Sequence, residues 1–184
     1  MIHKLCSTDQ ERWQRTTVAH IQRLTLGPKI TELAATNGPN GFLPISYAVW
    51  YGARADVVYY MYLHCKHSIR WTNTLNKWTL LHYAAYHKRT HLIQLLLTLY
   101  PEAAQQLTIA GDTPLDLARQ KRHSFSIAYL LHTEETISLY GEEHPELAQQ
   151  CSIDHAKWLG DLAMEAAKKS NAEKTLRTKL LRTK

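Results

Sequence analysis

Residues Asn76 to Leu97 read NKWTLLHYAAYHKRTHLIQLLL, and this stretch decides the fold. Two short helices are predicted here: the first follows a cap at Thr79, and the second carries the apolar run at 92–97. The polar tripeptide at 87–89 separates them. Neither helix is long enough to be stable alone in water, and both are too apolar to be left exposed. The pair therefore predicts similar neighbours on both sides.

Two copies of the stretch flank it in the sequence. Counted from Lys77, a similar block starts 36 residues earlier at Gly41 and another starts 34 residues later at Gly111. An apolar segment follows each block, at 57–63, 92–97 and 127–131. Three blocks in register predict a stack of helical repeats, since no single pair can bury its own apolar surface.

The blocks resemble the ankyrin repeat, whose period is about 33 residues and whose signature is T-P-L-H-x-A. The middle block reads Thr79-Leu-Leu-His82-Tyr-Ala and the last reads Thr113-Pro-Leu-Asp116-Leu-Ala, whereas Leu43 replaces the threonine of the first. The resemblance implies an all-α ankyrin-repeat solenoid with short hairpin loops. It also implies that His82 is structural and bonds backbone groups near the start of its helix.

We expect extra helices at both ends of the stack, because terminal repeats must cover their apolar faces. The predicted segments are a helical cap at 1–37, repeats at 38–73, 74–108 and 109–132, C-terminal helices at 133–167, and a basic tail at 168–184. In the cap, Thr8 and Glu11 fit a capping box for one helix that carries Trp13 to Leu24 and stops at Gly27-Pro28. Gly141 is expected to interrupt the helix after the last repeat.

Charge is concentrated at the C-terminus. The net charge of the 184 residues is +6, and residues 166–184 account for all of it, with seven basic groups and one acid. We expect this tail to be a solvated helix end, or to contact nucleic acid, an acidic partner or a membrane surface without sequence preference.

The composition points to an intracellular protein, cytoplasmic or nuclear. The three cysteines have no metal-like spacing, the first residues are too polar for a signal peptide, and no apolar run approaches the roughly 20 residues that span a bilayer. Unconventional export would leave no sequence trace.

In the ankyrin family, partners usually bind the concave surface formed by the fingers and the ends of the first helices. Carried over repeat by repeat, these positions hold aromatic residues where the family is normally polar and variable. Trp and Tyr dominate binding hot spots. The predicted partner-binding residues are Phe42, Trp50, Tyr51, Trp78, Tyr86, His87, Asp112 and Lys121. Alternatively, some of these aromatics pack against the N-terminal cap or against each other.

Metal binding and catalysis are the weaker hypotheses. His87 and His91 have a helical ligand spacing, and the segment 64–67 offers two histidines and a cysteine, but solvated polar residues are the simpler interpretation. No phosphate loop, nucleophile elbow or framed pair of carboxylates appears. We therefore predict no catalytic residue, no metal and no cofactor. An enzyme site built from the terminal helices is the remote alternative.

The sequence predicts a protein–protein interaction module, an adaptor or inhibitor that binds another protein on a concave aromatic face. The alternative is a nuclear or nucleic-acid-associated regulator that combines the repeats with the basic tail. A scaffold shared by many functions does not identify the partner.

Overall fold

The structure is a computed structural model that describes residues 6, 8–24, 38, 41–146, 149, 164, 167 and 168. Short helices follow one another along the chain, and within the described ranges no β-strand forms. In chain order the α-helices are α1 (Gln10–Arg15), α2 (Val18–Leu24), α3 (Pro44–Tyr51), α4 (Ala55–His64), α5 (Leu80–Tyr86), α6 (Thr90–Leu99), α7 (Pro114–Gln120), α8 (Ser124–Leu131) and α9 (Thr133–Glu143). The predicted all-α class and three helix pairs are confirmed.

The chain divides into two compact units, residues 1–143 and residues 144–184. The first holds all the helices named above. Most of the second lies outside the described residues, including most of the C-terminal helices predicted beyond residue 146 and nearly all of the basic tail. Residues 25–37 of the predicted N-terminal cap also lie outside them. The predicted segment boundaries therefore stay predictions.

The backbone confirms the register of the three repeats. Gly41, Lys77 and Gly111, which begin the aligned blocks, have φ of 75°, 61° and 85°. A second set with positive φ ends the first helix of each pair: Gly52 at 75°, Lys88 at 56° and Arg122 at 54°. Left-handed backbone closes a helix and turns the chain, and it strains every residue except glycine.

Replacing the strained Lys88 by glycine is expected to raise the free energy of unfolding by about 0.5–1 kcal/mol. The side chain is exposed, so its loss removes little packing. Ala128→Gly, at an exposed position inside α8, is the control and should lower stability by about 1 kcal/mol. Urea denaturation measures both, and a loss of stability in Lys88→Gly would contradict the strain argument.

Matching caps begin α5 and α7. The Thr79 amide donates to His82 Nδ1 at 3.1 Å, and the Thr79 hydroxyl lies 2.8 Å from the same nitrogen. In the next repeat the Asp116 carboxylate takes the place of the imidazole, because the Thr113 amide and hydroxyl donate to Oδ2 at 3.0 and 2.6 Å. Each side chain satisfies a backbone donor that a helix start leaves free.

His82 also joins two repeats. Since Nδ1 accepts a hydrogen bond, the proton lies on Nε2, which donates to the Asp112 carbonyl at 3.3 Å. The side chain is fully buried, and burial lowers the pKa of the imidazole below its usual value. The structural role implied for His82 is thus what the geometry shows.

The linkers between repeats form part-helical fingers. Short 3₁₀ helices occupy Lys66–Arg70 and Pro101–Gln105, and each is followed by a tight turn. The Asn73 amide donates to the Trp78 carbonyl at 2.9 Å in one turn, and the Thr108 amide to the Asp112 carbonyl at 2.9 Å in the next. The two fingers are bonded to each other, since the Ile109 amide donates to the Asn76 carbonyl at 3.0 Å.

The N-terminal cap differs from its prediction in two respects. Asp9, not Thr8, caps α1, because its carboxylate accepts from the Arg12 amide at 3.1 Å. The single predicted helix is broken at Thr16 and Thr17, and a second cap starts α2, where the Thr17 amide donates to His20 Nδ1 at 3.2 Å. This is the same Thr-x-x-His cap that begins α5. The resulting helix pair packs α1 on α3 and α2 on α4.

Polar side chains form hydrogen bonds between each helix pair and the pair before it. Arg89 Nε donates to the Trp50 carbonyl at 3.0 Å, and its Nη2 donates to Gln10 at 3.1 Å. A Cβ on Gly52 would lie 2.9 Å from the Arg89 guanidinium, so glycine leaves room for this bond. His123 Nδ1 makes the corresponding link one repeat later, to the Ala85 carbonyl at 3.1 Å.

The core is centred on α6, whose leucines and Ile93 are buried. This helix packs on α4, α5, α8 and α9, so it lies between the first and third repeats. The helix α9 runs through Gly141 to Glu143, so the expected interruption at that glycine is wrong. No helix in the described part of the chain is long and apolar enough to cross a membrane.

Candidate partner-binding face

Six side chains predicted for the binding surface form one connected group on the first helices and fingers of repeats one and two. Trp50 stacks on Tyr51 at 5.7 Å between ring centroids with 7° between the planes, and on His87 at 5.5 Å and 24°. All six are partly exposed. We call them the aromatic face: Phe42, Trp50, Tyr51, Trp78, Tyr86 and His87.

The rings continue across the second repeat. The Tyr86 centroid lies 5.0 Å from that of His87 in an edge contact, and Trp78 lies 5.0 Å from Tyr86. Offset and edge contacts at such distances are favourable. The aromatics therefore do pack against each other, as the alternative prediction stated. Their partial exposure still leaves the rings accessible to a partner. Neither Trp50 nor Trp78 is fully buried.

Tyr83 is the buried centre of the group, and sequence reasoning missed it. Its ring lies 5.1 Å from both Trp50 and Trp78 and is only 3% exposed. Asn73 Nδ2 donates to the Tyr83 hydroxyl at 2.8 Å. Burial raises the pKa of this phenol, so it stays protonated. The signal available in the sequence was its spacing, five residues after Trp78 and four before His87.

Trp71 was also missed, since it follows a finger helix outside the aligned blocks. Its ring centroid lies 5.0 Å from that of Phe42, which in turn lies 5.6 Å from Trp50. Trp71 therefore extends the aromatic face toward the first finger. Its contact could not be read from sequence, because the path of the linker decides it.

The third repeat contributes charge rather than rings. Lys121 Nζ lies 4.2 Å from the centre of the Tyr86 ring, a cation–π contact. Asp112 does not join the rings, and its Oδ1 accepts from Gln120 Nε2 at 3.0 Å. Of the two residues predicted here, the structure brings Lys121 to the aromatic face and pairs Asp112 with a neighbouring amide.

His87 is neutral at physiological pH. Burial, together with smaller electrostatic contributions from Arg89, Lys121 and His123, lowers the pKa of its imidazole to about 4. The neutral His87 imidazole stacks on Trp50 and brings no charge into the aromatic face. The same neighbours make this end of the face electropositive.

Acid is expected to destabilise the protein through His87. The unfolded imidazole takes up a proton below about pH 6.5, whereas the folded one does so only near pH 4. Stability therefore falls as the pH drops from 6.5 toward 4. The loss should be about 1–2 kcal/mol, after allowance for solvent screening of a half-exposed ring. Urea unfolding at pH 7.5 and pH 5 measures it.

His87→Gln is the control for that measurement, because an amide does not titrate. The variant should lose less stability between the two pH values than the wild type, and His82, whose pKa is also lowered, accounts for the remainder. An identical pH dependence in both proteins would contradict the assignment to His87.

Three of the four histidines considered for zinc make other contacts. His87 is stacked in the aromatic face, while His91 Nε2 donates to the Ala53 carbonyl at 3.0 Å. The His64 ring packs on Tyr60 with 4.6 Å between centroids. Among the described residues, no group of three or more His, Cys, Asp or Glu side chains could hold a metal ion. Burial raises the pKa of the Cys6 thiol to about 11, which disfavours a nucleophilic thiolate.

Comparison with known families gives one match. A family model described as ankyrin repeats, in three copies, matches residues 32–140. The curated proteins contain no match to this sequence. The matched range includes all three helix pairs and every residue of the aromatic face.

Proposed function

This chain belongs to the ankyrin-repeat family, and from that premise we propose that it is an adaptor or inhibitor that binds another protein on its aromatic face. Ankyrin repeats generally mediate protein–protein interaction. The family's partners usually bind the surface formed by fingers and first-helix ends, and the aromatic face occupies those positions. We place the protein inside the cell, in the cytoplasm or nucleus.

The observation that carries the proposal is a connected set of partly exposed rings. Contacts run from Tyr51 and Trp50 of the first repeat through His87 and Tyr86 of the second. Lys121 of the third repeat continues these contacts, since its ammonium group lies over the Tyr86 ring. These rings remain partly open to solvent, where a partner can contact them.

Packing of the rings on one another favours binding. A side chain that is free in the unbound protein loses rotamer entropy when a partner immobilises it, at about 0.5–1.5 kcal/mol each. Trp50 lies between Tyr51 and His87 and is already fixed. The aromatic face is therefore preorganised, and large aromatic side chains supply much of the contact area in known hot spots.

We propose no chemistry for this face, for which no cofactor is needed. Its histidine, His87, is held in a structural contact and is neutral. Asp112, which lies outside the face, accepts from Gln120. A general acid or base needs a side chain that can reach a substrate proton. Catalysis elsewhere in the chain would be revealed by turnover.

The test is affinity isolation from native lysate with the wild type and with Trp50→Ala/Trp78→Ala, each checked for folding by circular dichroism. We expect partners on the wild type that the double variant loses. Tyr86→Ala removes a ring at the edge of the group and keeps the test valid if the double variant unfolds. Tyr59→Ala/Tyr60→Ala, on the second helix of the first repeat, is the matched control and should retain the partners. Equal capture by all four proteins would refute the proposed face.

The basic tail supports a second candidate, a nuclear or nucleic-acid-associated regulator. All of the net positive charge lies in residues 166–184. Phosphate binding of this kind weakens steeply with salt. Deleting residues 168–184 should then abolish salt-dependent retention on DNA or RNA, and retention unchanged by the deletion would refute the candidate.

A further inference from the structure

The ends of the first helices change character along the stack. They read Trp50-Tyr-Gly-Ala53 in the first repeat, Tyr86-His-Lys-Arg89 in the second and Gln120-Lys-Arg-His123 in the third. The positive φ of Gly52, Lys88 and Arg122 fixes this alignment in the structure. The surface therefore passes from aromatic to basic in three steps.

Acids are scarce in the sequence of the second and third repeats. Residues 65–123 hold eight lysines and arginines but three acids, Glu102, Asp112 and Asp116. Asp116 is used by the cap of α7, and Asp112 accepts from Gln120. Lys121 and Arg122 are exposed, so a negatively charged group can reach them.

The fingers add exposed aliphatic side chains to this side of the repeats. Leu75 and Ile109 are 83% and 67% exposed and are 34 residues apart, so they hold equivalent positions in successive fingers. The bond from the Ile109 amide to the Asn76 carbonyl keeps the two fingertips together. Exposed aliphatic side chains that recur at matching positions of two bonded fingers favour a shared apolar contact over scattered exposure.

We propose that the aromatic face, the fingertips Leu75 and Ile109 and the basic turn at Lys121-Arg122 together bind a linear acidic segment of another protein. Its apolar side chains contact the exposed parts of the aromatic face and the fingertips, and its carboxylates pair with the basic turn. The inference rests on the proposed function and specifies the partner's chemistry. Charge complementarity across the third repeat selects an acidic sequence and speeds the encounter.

A single-stranded nucleic acid fits this surface less well. Such ligands stack bases on open aromatic faces, but Trp50 already stacks on Tyr51, Tyr83 and His87. These contacts reduce the ring surface that is free to stack on a base. Leu75 and Ile109 also offer nothing to phosphate or sugar, whereas they suit the aliphatic side chains of a peptide.

The experiment selects from a phage library of random 12-residue peptides against the full chain and sequences the enriched pool. We expect enriched peptides that are more acidic than the input library and that contain Trp, Phe, Leu or Ile. Affinity of one enriched peptide, measured by fluorescence anisotropy, should fall at least tenfold in Lys121→Glu/Arg122→Glu. It should fall less than twofold in Lys179→Glu/Arg182→Glu, which changes the net charge equally within the tail.

Several outcomes overturn the proposal. A pool without acidic bias, no enriched peptide at all, or equal effects of the two charge reversals would each refute an acidic linear partner. Displacement of the peptide by a 12-nucleotide oligo(dT) at comparable concentration would favour nucleic acid instead. If capture from lysate still depends on the aromatic face, the partner's chemistry is wrong and the proposed function survives; if that capture also fails, both fall.

Discussion

His82→Ala is expected to lower the free energy of unfolding by about 3 kcal/mol. The cap of α5 contributes about 1 kcal/mol. The substitution also leaves the buried Thr79 amide without its acceptor and removes the Nε2 bond to the Asp112 carbonyl, which keeps its bond from the Thr108 amide. A buried donor without a partner costs about 1–3 kcal/mol. Because His82 is fully buried, the site does not recover these bonds from open solvent.

Asp116→Ala is the matched control, since Asp116 holds the equivalent position in the third repeat. Its carboxylate caps α7 but is partly exposed. Removing it should therefore cost only about 1 kcal/mol. Urea denaturation of both variants measures the difference in the free energy of unfolding. Equal losses would show that the burial of His82 and its bond to the third repeat do not stabilise the protein beyond the cap itself.

Leu96→Ala is expected to cost about 3 kcal/mol, within the range of 2–5 kcal/mol for large-to-small changes in cores. Leu96 is 2% exposed on α6, the helix that packs on α4, α5, α8 and α9. A cavity there loosens the repeat on which both neighbours depend. The same urea titration tests this prediction.

Leu139→Ala provides the comparison on α9. That leucine is 53% exposed, and a change at such a position should stay within about 0.5 kcal/mol. A loss below 1 kcal/mol for Leu96→Ala would contradict the central position of α6. Comparing the two variants separates the stability lost by removing a buried leucine from the stability lost by removing any leucine.

The repeats could be predicted because their signals are local and recur. The block that begins at Lys77 has counterparts at Gly41 and Gly111, and all three residues take the left-handed backbone that ends a finger. Thr79 and His82 lie three residues apart, so one helix start brings them together without help from distant chain. The matched family model confirms the repeats.

The N-terminal break was missed for the opposite reason. An apolar pattern from Trp13 to Leu24 fits one helix, yet Thr17 and His20 form a new cap that starts a second. The Thr-x-x-His pair is the sequence signal for this second cap, but it lies outside the three repeat blocks. At the other end, Gly141 sits inside α9, because a single helical glycine costs only about 1 kcal/mol, which packing can offset.

The candidate face was predictable in its residues but not in its geometry. Family positions pointed to Trp50, Trp78 and Tyr86, which the structure brings into one group. Tyr83 was not selected, because its burial between those rings depends on how two repeats pack. Asp112 was selected by position, and only the structure shows its bond to Gln120.

Photocrosslinking tests the claimed face most directly. The photoreactive amino acid p-benzoyl-phenylalanine replaces Tyr86 in one protein and Tyr60, on the second helix of the first repeat, in a matched protein. Both are irradiated in native lysate, and adducts are identified by mass spectrometry. We expect protein adducts from position 86 that are absent from position 60. Adducts from position 60 alone, or the same adducts from both positions, would contradict a partner-binding aromatic face.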